Sequence, residues 1–111
     1  MTTISAAVFR GTGQPIDVRP VELAPPGPRE VEVAIAAAGV CHSDLHMVRG
    51  DWPHRTPVVL GHEGAGIVVD CGPGVTTLKR DDHVIPLYTP ECRQCKFCLS
   101  RKTNLCQSIR G

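Results

Sequence analysis

In Glu30-Val31-Glu32-Val33-Ala34-Ile35, the branched apolar residues Val31, Val33 and Ile35 alternate with Glu30, Glu32 and Ala34. A period of two with one polar face marks a half-buried strand, because successive side chains of extended backbone point to opposite sides. On the N-terminal side, Ala24-Pro25-Pro26-Gly27-Pro28 interrupts regular structure. Each proline lacks an N–H and biases its predecessor towards extended geometry. Before it, strands are expected at residues 6–10 and 16–21, with Gly11-Thr12-Gly13 as the turn. On the C-terminal side, a short helix is expected from Cys41-His42-Ser43-Asp44, where Ser and Asp suit a first turn. Further strands are expected at residues 66–70 and 83–87, with the turn Cys71-Gly72-Pro73-Gly74 after the first. The pattern predicts a small, mainly β barrel with short helices and a metal-rich loop appended.

Composition agrees. The chain has 111 residues, long enough for one modest core and short for an enzyme that also binds a dinucleotide. Ten prolines and eleven glycines suit short strands better than long helices. A net charge of +1 gives no basis for expecting nucleic acid or a membrane surface as a partner. No apolar run approaches the length of a bilayer span, and residues 1–10 lack the basic and apolar regions of a signal peptide. A cytoplasmic location is the expectation, and there the six cysteines serve as metal ligands or free thiols before disulfides.

Cys92-Arg93-Gln94-Cys95-Lys96-Phe97-Cys98, followed by Cys106, gives the spacing C-x2-C-x2-C-x7-C. Two-residue spacers curl a loop so that successive sulfurs converge, and a fourth cysteine from the returning chain closes a tetrahedron. Four thiolates around one Zn²⁺ leave a charge of −2. Arg93, Lys96, Arg101 and Lys102 stand in the same loop with no acid between Cys92 and Cys106, and they offset that charge. An iron–sulfur cluster is the first alternative, but the bacterial ferredoxin run has a shorter last spacer and a proline after its final cysteine, where this chain has Gln107. Disulfides are the second. A closed structural zinc site over residues 91–107 is the expectation.

Cys41 and His62 form a weaker pair. On spacing alone one Cys and one His about twenty residues apart decide little, and a lone His is more often structural. Here a resemblance adds to the residues. The segments Gly39-Val40-Cys41-His42-Ser43-Asp44, Gly61-His62-Glu63-Gly64-Ala65-Gly66-Ile67-Val68 and Val84-Ile85-Pro86-Leu87-Tyr88, together with the cysteine lobe, closely resemble the medium-chain zinc alcohol dehydrogenases in order and spacing. The resemblance implies a GroES-like β barrel followed by a Rossmann domain, and oxidation of an alcohol or reduction of an aldehyde with NAD. It implies that Cys41 and His62 are two catalytic zinc ligands and that Glu63 is a carboxylate able to approach the metal. Asp44 matches the acid that fixes a ligand imidazole, Ser43 the hydroxyl that takes the alcohol proton, and His46 the end of the relay to solvent. His42 falls where the family contacts the cofactor pyrophosphate, and Trp52 and Tyr88 fall where it lines the substrate pocket.

The family's third catalytic ligand, a cysteine further downstream, has no counterpart here, and no G-x-G-x-x-G stands at a strand–helix junction. The expectation is therefore an N-terminal part of the GroES-like catalytic domain, residues 1–111, without its Rossmann domain and inactive alone. The parent is expected to be a homodimer or homotetramer. Two departures from the family pattern stand out. Cys71 matches no ligand and is expected to be a small packing or turn residue. Asp81 stands where the family usually has glycine, which points to a positive φ that Asp tolerates. His54 and His83 are expected to be surface or packing residues. The tail from Tyr88 resembles the glutathione-dependent formaldehyde dehydrogenase branch, with Arg110 placed to bind the glutathione carboxylate. The loop 49–56, which lacks that branch's paired acids, and His46 in place of its tyrosine favour a general primary or aromatic alcohol dehydrogenase instead. A stand-alone zinc-binding or interaction module is the reading from another class. It accounts for the lobe but not for Ser43, Asp44, His46 and Glu63 at their spacings.

Overall fold

The computed structural model describes residues 1–110, Arg110 by its backbone alone. Six strands and two short helices follow in the order β1 (Thr2–Phe9), β2 (Asp17–Leu23), β3 (Val31–Ala38), α1 (His42–Arg49), β4 (Val58–Val59), β5 (Gly64–Cys71), β6 (His83–Val84) and α2 (Lys96–Leu99). The strands make two three-stranded antiparallel sheets, ordered β2-β1-β4 and β3-β5-β6. The expected mainly β architecture is present. The two sheets do not close into one barrel among the described residues.

The core is small. On β1, Ala6, Val8 and Phe9 are buried, and on β5 Gly66 and Val68 alternate inward as a period of two demands. Burying a Phe or Val side chain contributes about 1.5–3 kcal/mol, so Phe9 and Val68, both fully buried, anchor their sheets. Strand β3 departs from simple alternation. Its pairing with β5 shifts register between Glu32 and Val33 and again between Ile35 and Ala37. Val31 and Val33 are half-covered, whereas Ile35 is exposed. Such shifts break the in–out pattern that a regular ladder would keep.

The expected strand 83–87 is shorter than its apolar run. Only His83 and Val84 pair with β5, opposite Ile67 and Gly66. Pro86 offers no N–H to a ladder, and residues 85–88 leave the sheet. Asp81 has φ +73°, the left-handed conformation its glycine-like position implied. Cys71 ends β5 opposite Val31 and is half-buried, a strand-end residue. His54 packs its ring on Phe9, while His83 is exposed.

Candidate metal centres

The β3–β5 ladder builds the first centre. Its last rungs pair Ala37 with Ala65 and Ala38 with Gly64, and the Gly39 N–H continues to the Glu63 carbonyl at 2.9 Å. Because the strands are antiparallel, the residues leaving β3 and those entering β5 meet at the same end. Cys41 and His62 are thereby brought together from distant parts of the sequence. One ligand atom each from Cys41, His62 and Glu63 lies within 4.8 Å of the others. A side chain at Gly39 would collide with the Glu63 carboxylate, so the glycine leaves the space that acid occupies.

Helix α1 supplies the support. Cys41 is its N-cap, and Asp44 closes a capping box, its Oδ2 accepting the Cys41 N–H at 3.2 Å. The other oxygen of the same carboxylate faces His62 Nδ1 at 3.4 Å. Asp44 thus ties both ligand-bearing segments together and turns the His62 Nε2 towards Cys41 and Ser43, whose Oγ stands 3.4 Å away. Hydrogen bonds from the Ser43 side chain and then its backbone N–H, with His62 adding to them, hold the Cys41 thiol below its ordinary value. The Cys41 side chain holds His62 above its ordinary value against the effect of burial, and Asp44 contributes in the same direction. A thiol so poised readily gives the thiolate that a metal binds. The imidazole is fixed by a carboxylate in the manner of metal-ligating histidines.

These side chains open into a cleft of about 750 Å³, walled by Ala37, Gly64, Ile85, Leu87 and Tyr88. Tyr88 meets the His62 ring edge-to-face at 5.3 Å. Trp52 is elsewhere: it is absent from the cleft wall and stacks on His46, ring centroids 4.9 Å apart. His46 and His42 lie four residues apart on α1, with His42 Nδ1 and His46 Nε2 separated by 3.2 Å. No hydrogen bond joins Ser43 to His46 among the described residues. The side chain of Arg110 lies outside the described residues. Asp51, which belongs to none of the motifs above, sits 2.9 Å from His46 Nδ1. Its signal was Gly50-Asp51, a helix-ending glycine followed by an acid within reach of the last turn.

The second centre is local. The sulfurs of Cys92, Cys95, Cys98 and Cys106 lie within 4.8 Å of one another, and Cys106 is buried. With Zn–S bonds of about 2.3 Å, a tetrahedral zinc site has sulfur–sulfur edges of about 3.8 Å. The Cys92–Cys98 pair stands at 4.0 Å. Backbone N–H groups converge on the sulfurs: Cys95 and Gln94 donate to Cys92, Cys98 to Cys95, and Cys92 to Cys106. Arg93 and Arg101 take positive φ, 59° and 62°, which lets the loop curl around the four sulfurs. Donation from Cys98 and Gln107 lowers the Cys95 thiol to about 6, while burial, aided by the neighbouring thiols, raises Cys98 to about 12. Four sulfurs this close cannot all carry charge alone, and a divalent cation resolves that. A hollow of about 550 Å³ beside the lobe is walled largely by Phe97, Leu105 and Ile109, so it offers packing and not chemistry.

Residues 27–111 match the alcohol dehydrogenase GroES-like domain. The chain belongs to the alcohol dehydrogenase GroES-like family. Within it, the chain is 56% identical over 107 residues to an alcohol dehydrogenase class-3 of Cereibacter sphaeroides, covering 96% of this chain and 28% of that protein. It is 55% identical over 106 residues to an S-(hydroxymethyl)glutathione dehydrogenase of Photobacterium damsela subsp. piscicida, covering 95% and 29%. The fold superposes on benzyl alcohol dehydrogenase from Acinetobacter calcoaceticus with a TM-score of 0.89 at 35% identity, covering 100% of this chain and 30% of that one. The GroES-like fold expected from the sequence is the fold of this chain, which spans under a third of the length of these alcohol dehydrogenase relatives.

Proposed function

We propose that this chain is the N-terminal part of the catalytic domain of a zinc-dependent alcohol dehydrogenase that oxidises primary or aromatic alcohols to aldehydes with NAD. The observation that carries it is the joining of Cys41 and His62 through Asp44 at the mouth of an open cleft. Both donor sets fit zinc: a closed set of four thiols, and an open set of one thiol and one imidazole beside a carboxylate. Cys92, Cys95, Cys98 and Cys106 would hold a structural ion. Cys41 and His62 would hold a catalytic one, with a further ligand from outside these residues. There zinc supplies Lewis-acid polarisation of an alcohol oxygen, and a nicotinamide supplies the hydride acceptor.

The chain's own residues do the rest. Ser43, beside His62 Nε2, is placed to accept the alcohol proton. His46, half-exposed on α1, would pass it on to solvent. Asp44 keeps His62 in one tautomer. Glu63 adds negative charge beside Cys41 and His62, Tyr88 walls the cleft, and His42 would contact the cofactor pyrophosphate, as the family resemblance implies. Trp52 stacks on His46 and would steady that ring. The location is cytoplasmic and the whole protein a homodimer or homotetramer.

The names of two relatives favour a second substrate, S-(hydroxymethyl)glutathione, also oxidised at a primary –CH₂OH carbon, and Arg110 would then bind the glutathione carboxylate. The test is NADH formation by the whole protein in which the chain occurs, with benzyl alcohol and separately with formaldehyde plus glutathione. NADH with either is expected. NADH with neither overturns the dehydrogenase reading, as an active isolated 111-residue chain would overturn the partial-domain reading.

A further inference from the structure

The loop after α1 holds one side chain from two directions. The helix ends at Gly50, whose φ of +81° reverses the chain, and a side chain there would strike the Thr12 hydroxyl. The Gly50 N–H donates to the Met47 carbonyl and the Asp51 N–H to the His46 carbonyl at 2.9 Å, the paired bonds of a glycine-capped helix end. The second of these bonds fixes the Asp51 backbone against the residue that its side chain also reaches. The Asp51 Oδ2 lies 2.9 Å from His46 Nδ1, and the Trp52 ring lies against the imidazole with an interplanar angle of 27°.

A carboxylate only accepts, so His46 Nδ1 must carry the hydrogen in this contact. A neutral imidazole has one N–H, which leaves His46 Nε2 with its lone pair. That nitrogen faces His42 Nδ1 at 3.2 Å, which makes the His42 nitrogen the donor. The bonds therefore run one way, from His42 to His46 to Asp51.

We propose that Asp51 is the positioning residue for His46: it holds the hydrogen on Nδ1 and so presents Nε2 as the proton acceptor, with Trp52 fixing the ring plane. This rests on the relay role given to His46 above. A proton arriving at Nε2 displaces the His42 N–H from that lone pair and makes an imidazolium balanced by the Asp51 carboxylate, and the same proton leaves to water.

The test reads the tautomer directly, by long-range ¹⁵N–¹H correlation of the His46 ring in the zinc-loaded chain. Expected is an Nδ1–H tautomer in the wild type, retained in Asp51→Glu and in Asp51→Asn, whose amide oxygen still accepts. In Asp51→Ala that tautomer is expected to give way to a mixture. An unchanged Nδ1–H tautomer in Asp51→Ala overturns the positioning role. In the whole protein, Asp51→Ala should lower kcat about tenfold, less than the roughly 10²–10⁴-fold of losing a general base outright, and Asp51→Glu should recover it. A changed tautomer with unchanged kcat overturns the relay role of His46 instead, so the two failures are told apart.

Discussion

The two centres reach a similar end by opposite routes. The lobe gathers four sulfurs from one short loop whose own N–H groups point at them. The cleft gathers Cys41 and His62 from the two strands at one end of an antiparallel ladder and ties them with Asp44. A site built from neighbours in sequence depends on its ion for order, because nothing else fills its centre. A site built on a ladder has its geometry set by strand pairing and keeps an open face for chemistry. On the proposed reading, the lobe would hold structure and the cleft would serve the chemistry.

The sharpest way to break the comparison is to remove metal. With a strong chelator, amides from Cys92 to Cys106 should lose their exchange protection completely, while those of β3 and β5 keep theirs. Equal loss in both regions, read by hydrogen exchange, would erase the distinction. Next in size, His62→Ala in the whole protein should lower kcat about 100-fold or more, since a ligand to the Lewis acid is lost. Tight lobe zinc should be unchanged. Asp44→Asn should cost about tenfold in activity, the scale of a partner that orients a ligand.

A pH titration separates the centres more gently. Zinc binds thiolates, so its uptake by the lobe should release protons and its affinity should fall with acid. Because Cys95 ionises at about 6, more protons should be released per zinc at pH 5 than at pH 7. Proton release that does not change over this range would contradict that assignment. The smallest effect lies away from both centres. Lys79 holds the Asp82 carboxyl below its ordinary range through its side chain and backbone N–H, in an exposed turn. A carboxyl lowered by folding stabilises above its unfolded value, and that contribution is lost as pH falls through the folded one. Asp82→Asn should therefore lower the thermal midpoint slightly at neutral pH, and the difference should vanish in strong acid.

How much could be read without coordinates follows the same division. Val31, Val33 and Ile35 announced a strand, and the cysteine spacing announced a convergent set of sulfurs, because both are local patterns. The register shifts in β3 were hidden, since they arise between strands and leave no periodic trace. The pairing of Cys41 with His62 was weak on spacing alone because the ladder that joins them is not written in either segment. Trp52 was expected at the substrate and lies on His46, since the turn at Gly50 aims it there. Asp51 escaped notice because its importance depends on that same turn.

Zinc counting with one variant at each centre tests the division most directly. The purified 111-residue chain should hold about one tightly bound zinc, as should His62→Ala, while Cys106→Ser should fall to near zero, because among the described residues the lobe alone offers four thiol ligands. A wild-type chain with no zinc, or one in which His62→Ala loses its zinc and Cys106→Ser keeps it, would contradict the account.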